Sequence, residues 1–376
     1  MPVNIHNCRS CHRETGHVVL DLGSQPACDY FPPADDPGPD PVYPLQMWLC
    51  AHCGLAQLVD DPTVPEEPRG AEPAALVRQA ADAVARVAAA GLLPARTRVA
   101  EYGSPHGGSW LGLLADRGLQ AVDGTAEADV ILDCFGMMHE VDQSTALAER
   151  AARLAPGGVL LLQYHSLETI IRLGQWNALR HGHYAYYSTT ALSAMLAAVG
   201  FSPRTAWHFE LYGGTLLVAA RRDGDVPGTS DETIEAVLAA EERTGVCDPD
   251  VLRGLQQDVQ TKASALHDWL AKSAAAGRTV LGYGAASRAV ALLRKAEVDS
   301  ELLSAVADAS PAKRGLRMPG TTIPVISPAE LTARRPDEVA LFVSDLMAEV
   351  RATYPEIEAR GGHWVDADAL GPSHRI

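Results

Sequence analysis

Two Cys-x-x-Cys pairs, Cys8/Cys11 and Cys50/Cys53, constrain this chain more than any other feature. At that spacing two thiolates reach one ion from a single tight turn, and two such pairs complete a tetrahedral Zn²⁺ site. Four protein ligands leave no open coordination position, so the metal is expected to be structural. The interval between the pairs is long for a zinc ribbon and requires a sizeable loop or hairpin. His12 and His52 stand beside the ligands and are expected to be exposed rather than ligating.

A chain of 376 residues is expected to hold two or three domains. It is 47% apolar and 21% charged, with no apolar run that would cross a membrane and no secretory leader before Cys8. The other cysteines, Cys28, Cys134 and Cys247, are scattered, which suits a reducing cytoplasm. A net charge of −16 argues against nucleic acid as partner, although zinc ribbons often bind it, and leaves a small molecule as the expected ligand. No pattern fixes an oligomeric state.

The zinc-binding module is read over 1–70 and ends in Pro65-Glu-Glu-Pro68. A helix follows from about Glu72 to Ala90. The strand Arg98–Tyr102, the glycine-rich turn Gly103-Ser-Pro-His-Gly-Gly108 and the helix from Trp110 then open a nucleotide-binding α/β unit. Further core strands are read at Ala128–Cys134, Val159–Gln163 and Gly214–Ala220, with helices at Gln143–Leu154 and Thr189–Val199. The first α/β domain is placed at 71–225. A helical bridge from about Ser230 to Ala275 leads to a second α/β pattern at Thr279–Ala286, Leu303–Asp308 and Val339–Val343, within 226–376. The fold class is α/β, a zinc-binding module followed by two Rossmann-like domains.

Several segments, in order, resemble the zinc-containing, S-adenosylmethionine-dependent sugar C-methyltransferases. They are the cysteine pairs; Glu101-Tyr-Gly-Ser; Leu154-Ala-Pro-Gly-Gly-Val; His181-Gly-His-Tyr-Ala-Tyr-Tyr-Ser188; Gly213-Gly-Thr; Gly282-Tyr-Gly-Ala; and Asp308-Ala-Ser-Pro-Ala-Lys-Arg-Gly315 with Pro319-Gly-Thr-Thr-Ile-Pro-Val325. The resemblance spans nearly the whole chain. It implies a class I methyltransferase domain, structural zinc, S-adenosylmethionine, and a nucleotide-linked 4-keto deoxysugar from an antibiotic pathway. Methylation beside a ketone needs a base for the carbon proton and a hydrogen-bond donor for the enolate oxygen.

The resemblance places His181 and His183 in the sugar pocket as proton-transfer groups, with Tyr186 beside them. Family members usually have His before the Gly-Gly pair, with Glu before it; here the residues are Leu211 and Tyr212. A tyrosine is a poor base at neutral pH but a good donor to an enolate, so Tyr212 is the third expected catalytic residue. The family's Glu between the two histidines is Gly182. Expected cofactor contacts are Glu101, Gly103, Gly107, Asp123 and His139. Asp123 stands where an acidic residue holds ribose, yet the next core strand begins at Ala128, too soon for the usual helix and edge strand. A shortened sheet is therefore expected. Substrate contacts are expected from Tyr164 and His165 after a core strand, and from Gly284, Ser287, Arg288 and Lys313, where a loop opening a helix suits a diphosphate. Two other classes fit the same residues: a homologue doing cofactor-free acid/base chemistry (lyase, isomerase or hydrolase), and a non-catalytic partner.

Overall fold

The computed structural model describes residues 6–63, 72–105, 108–222 and 230–371. Between the cysteine pairs lies a hairpin: β1 (Gly16–Pro26) runs antiparallel to β2 (Val42–Cys50), and β3 (Ala56–Leu58) pairs with the far side of β2. Successive side chains of a strand point to opposite faces. In β2 this sends Leu45, Met47 and Leu49 into a core shared with Leu252, Leu255 and Val290, while Trp48 and Cys50 enter a second core with Leu160, Leu162 and Leu192. The hairpin is thus buried on both faces, each against a different part of the chain.

The middle domain follows in the order α1 (Ala74–Ala89), β4 (Arg98–Gly103), α2 (Leu111–Ala115), β5 (Gln120–Ala121), β6 (Ala128–Cys134), α3 (Gln143–Arg153), β7 (Leu154–His165) and α4 (Leu167–Arg172). It continues through β8 (Ala185–Tyr186), α5 (Thr189–Ala198), β9 (Phe201–Phe209) and β10 (Thr215–Arg222). Its sheet order is β5-β4-β6-β7-β10-β9, with β10 antiparallel to both neighbours. Among the described residues no strand lies beyond β5, as the short interval from Asp123 to Ala128 requires. β7 begins at Leu154, five residues earlier than expected, because Leu154 pairs with Ala128 and a register shift absorbs the Pro156-Gly-Gly turn within the ladder. Two helices are capped by the residue before them: the Asp142 side chain caps α3 and the Ser188 side chain caps α5. The buried Glu241 adds to the second cap, accepting the N–H groups of Thr189 and Thr190.

β8 is absent from the sequence reading. It pairs antiparallel with β3 and so extends the zinc module's sheet with residues from the middle domain. Helices α6 (Glu232–Thr244), α7 (Pro249–Arg253) and α8 (Leu255–Ala275) form the bridge. The expected linker at 221–229 lies mostly outside the described residues.

The last domain is β11 (Val280–Tyr283), α9 (Ser287–Lys295), β12 (Val306–Ala307), β13 (Val325–Ile326), α10 (Pro328–Arg334), β14 (Glu338–Leu341), α11 (Met347–Thr353), α12 (Glu356–Ala359) and β15 (His363–Asp366). Its sheet is parallel throughout, in the order β13-β12-β11-β14-β15. In open α/β sheets ligands bind outside the carboxyl ends of the strands where the strand order reverses. That point lies between β4 and β6 in the middle domain, and between β11 and β14 in the last.

Candidate active site and zinc site

The four cysteine Sγ atoms lie within 4.8 Å of one another, with Cys8–Cys53 at 3.5 Å and Cys11–Cys50 at 3.6 Å. Tetrahedral zinc with sulfur at about 2.3 Å needs sulfur–sulfur edges of about 3.8 Å, so the cluster fits the ion. Backbone N–H groups of Ser10 and Cys11 point at Cys8 Sγ and that of His52 at Cys50 Sγ, which favours thiolates. His12 and His52 are exposed, and His12 bonds Ser144 instead.

Both switch points open on one cavity of about 290 Å³. The middle domain contributes Ser104 and Gly108 after β4, Phe135 and Met138 after β6, and Gln163 to His165 at the end of β7. The last domain contributes Ser287 and Arg288 after β11, and Val343 and Asp345 after β14. The segment from Gln175 to Tyr187 and the turn Leu211–Tyr212 close the remaining walls.

His183 and His139 meet edge to face, with ring centroids 4.7 Å apart. His139 Nδ1 lies 2.8 Å from the Gly182 carbonyl, so that nitrogen carries the proton and Nε2 carries the lone pair. His183 Nε2 accepts from Arg180 Nε at 2.7 Å, and Arg180 also donates to Ser287 Oγ in the last domain. Gly182 has φ 79°, which favours glycine where the family pattern has Glu, and its N–H donates to Asp61 of the zinc module. The expected pair His181 and His183 is therefore separated. His181 is buried away from the cavity, its Nε2 3.1 Å from the Pro44 carbonyl and its ring edge-on to Tyr43. This corrects the expected catalytic role of His181: its ring packs on the β1–β2 hairpin. His139, expected at the cofactor, takes its place beside His183.

Tyr212 lines the cavity in a left-handed conformation, φ 56° and ψ 27°. Its ring packs on Phe135, which is itself left-handed at φ 59°. Burial raises the phenol's pKa, so Tyr212 is a hydrogen-bond donor there rather than a base. The following glycines are required: a Cβ on Gly214 would lie 2.4 Å from Thr169 Oγ1, and one on Gly213 2.5 Å from the Gln175 amide. Gln175 donates to the Tyr212 carbonyl, and Asp345 accepts the Gly213 N–H at 3.1 Å. His165 sits 2.9 Å from Gln175 Oε1, and burial, reinforced by Arg288, lowers its pKa to about 3. It is neutral at working pH. Asp345 has its pKa raised by burial, against the pull of Arg288. The Arg288 guanidinium lies 5.3 Å over the Tyr212 ring and 4.0 Å from Asp368.

Other expected contacts are placed differently. Lys313 does not line the cavity: its ammonium is buried, donating to the Ala285 carbonyl 3.8 Å from Asp308, so it braces the loop after β11. Gly284, with φ 93°, makes that loop's turn and lies behind its lining residues. Tyr164 and Tyr186 contribute ring faces, since the Tyr164 hydroxyl pairs with Thr189 and that of Tyr186 with the Arg180 backbone. Glu101 accepts from Ser109 Oγ and the Trp110 N–H, fixing the glycine loop onto α2. Asp123 is exposed beyond β5 and does not line the cavity, because no further strand carries a wall out to it. Gly107 lies outside the described residues. Phe135, Arg180, Gln175 and Asp345 were missed. The switch-point rule points to Phe135 and Asp345, each just past a strand's carboxyl end, and Arg180 directly precedes the histidine motif.

A methyl donor fits against the loop after β4, where Ser104 and Gly108 line the cavity and Glu101 ties the loop to α2. The fit covers the loop side; on the β5 side Asp123 is the exposed acidic group.

Three domain families match in succession: a zinc binding domain over residues 8–67, a methyltransferase domain over 74–206, and a C-methyltransferase C-terminal domain over 210–367. The C-methyltransferase NovU of Streptomyces niveus is 23% identical, covering 96% of this chain and 95% of its own length. Among solved structures, magnesium protoporphyrin IX methyltransferase from Synechocystis covers 39% of this chain and 84% of its own, at 14% identity and a TM-score of 0.30. CalS10, an amino pentose methyltransferase from Micromonospora echinaspora, covers 39% and 91%, at 17% identity and a TM-score of 0.26. The protein is a methyltransferase, and its Cys₄ cluster is a zinc-binding site. The chain belongs to the zinc-containing C-methyltransferases, as a divergent member.

Proposed function

We propose that this enzyme methylates the carbon beside the ketone of a nucleotide-linked deoxysugar. The observation that carries the reading is the convergence of both switch points on one cavity, with proton-transfer groups on one wall and Arg288 at a helix start on another. Arg288 and the amino end of α9 suit a diphosphate. The cavity of about 290 Å³ suits a sugar ring flanked by extensions into both domains.

His139 Nε2 takes the carbon proton, with its ring held by the Gly182 carbonyl. His183 packs against it and is fixed by Arg180, so the pair keeps its orientation as charge builds. The Tyr212 hydroxyl donates to the enolate oxygen. S-adenosylmethionine, when bound, supplies the electrophilic methyl. Apolar groups such as Phe135 and Met138 exclude water from the carbanion. The cofactor-free alternative is not favoured, because the methyltransferase domain match supports a donor site.

The test is incubation with S-adenosylmethionine and a panel of nucleotide-linked 4-keto deoxysugars, read by mass spectrometry. The expected product carries one added methyl, with S-adenosylhomocysteine formed in equal amount. His139→Asn is expected to lower kcat by about 10²–10⁴-fold. Methylation of a simple ketone but of no sugar nucleotide would refute the substrate class.

A further inference from the structure

At the carboxyl end of β7, Gln163 is 3% exposed, and neither atom of its amide has a hydrogen-bond partner among the described residues. Its backbone is held on both sides, paired with Cys134 of β6 and Leu217 of β10, and its carbonyl accepts the Phe135 N–H at 3.1 Å. The side chain is therefore delivered to one place by the ladder. Leaving a buried amide unpaired weakens a fold, whereas an apolar residue of similar shape would not. Such a group is informative about what the site receives.

Two spaces border it. One is a recess of about 10 Å³, roughly the room one water needs, with walls that include Met137, Met138 and Leu192. Its polar neighbours are committed: Asp133 accepts from Gly136, Met137 and Arg150, and the Tyr187 hydroxyl is paired with Gln143. One water at most fits there, which leaves most of the amide's two N–H groups and two carbonyl lone pairs unmet. The other space is the main cavity. In the sheet, β6 separates the strand of Gln163 from β4, which the cofactor loop follows, and that strand's other neighbour, β10, begins just after Tyr212.

We infer that Gln163 is a catalytic residue of the substrate site, its Nε2–H donating to the ketone oxygen and its Oε1 accepting from a hydroxyl on an adjoining carbon. The inference rests on the keto-sugar reading above and narrows the substrate to an α-hydroxy ketone. An amide presents one donor and one acceptor on the same edge, and an α-hydroxy ketone offers their complements. In the enolisation step the carbon–hydrogen bond breaks and its proton passes to His139 Nε2. The bonding pair forms the carbon–carbon double bond, and the carbonyl π pair moves onto the oxygen. Gln163 and Tyr212 bond that oxygen as its charge grows.

The experiment follows α-proton exchange by NMR in D₂O. It uses the full-length, zinc-loaded enzyme, S-adenosylhomocysteine in the donor site, and thymidine-diphosphate-linked 4-keto-6-deoxyglucose as probe. Wild type is expected to wash out the α-proton. Gln163→Leu is expected to slow that exchange, and kcat for methyl transfer, by about 10²-fold. Its affinity for S-adenosylhomocysteine should be unchanged and its Tm no lower than wild type. Unchanged exchange in the variant would overturn the assignment. A parallel loss of S-adenosylhomocysteine affinity would do the same by giving the amide to the cofactor, and a lowered Tm by showing it partnered within the protein. Wild type without exchange or methyl transfer would instead fail the keto-sugar reading, and the role of Gln163 with it.

Discussion

At the scale of single residues, the site is built on conformations a protein does not adopt freely. Tyr212 and Phe135 are both left-handed and pack ring to ring, and each such non-glycine residue costs on the order of 1–3 kcal/mol. Gln175 and Asp345 hold the Tyr212 turn from two sides, so the hydroxyl's position is determined by partners distant in sequence. Tyr212→Phe keeps the ring packing and removes only the donor. It is expected to lower kcat by about 10²–10³-fold with little change in KM, measured by steady-state kinetics. His165 gives a second expectation, in stability. The folded chain keeps this imidazole neutral down to about pH 3, while the unfolded chain protonates it near pH 6.5. Its folded pKa is lowered, so between those values the unfolded state binds the extra proton, and the fold loses up to about 1.4 kcal/mol for each unit the pH falls. Above about pH 6.5 the contribution is flat. Urea unfolding at several pH values should show this slope in wild type and a shallower one in His165→Asn; equal slopes would remove His165 as its source.

Elements were legible where their pairing is local and obscure where it is not. The Cys-x-x-Cys turns, the helix behind the Asp142 cap and the apolar run Ala128–Cys134 carry their instructions in neighbouring residues, and each forms as read. β8 does not: Ala185 and Tyr186 become a strand only because β3 presents an edge from well over a hundred residues earlier. The same limit explains the histidines. His181 and His183 look equivalent in sequence, yet the turn at Gly182 sends one ring to the Pro44 carbonyl and the other to His139. Asp40 and Arg317 are another long-range pair. They join the loop of the zinc hairpin to the last domain through two contacts of 2.6 and 2.7 Å, both side chains 5% exposed. Nothing in either local sequence marks the partner. Removing one member of a buried pair strands the other charge, so Asp40→Ala is expected to destabilise the protein by about 3–5 kcal/mol in denaturant unfolding. A loss below about 1 kcal/mol would place the pair among solvent-screened surface bridges.

For the molecule as a whole, three sequence units do not make three independent bodies. β2 sends alternate side chains into two cores, one built with the bridge and last domain, the other with the middle domain's sheet. The hairpin is therefore shared structure, and the zinc ion that ties its ends governs more than its own module. β8 extends the dependence to the cavity, because the strand pairing with β3 begins two residues after His183 and includes Tyr186. Separable domains would unfold in separate steps, and chelation would melt only the first. Shared cores make the opposite expectation: one dominant cooperative transition in scanning calorimetry, moved as a unit to lower temperature when zinc is withdrawn. Structural zinc contributes on the order of 10 kcal/mol to the folding of small domains, ample to shift a marginally stable chain. Methyl transfer should disappear in step with bound zinc, because His183 and Tyr186 lose their support together. Two resolved endotherms, with the upper one insensitive to chelation, would show instead that the hairpin's two faces are not energetically coupled.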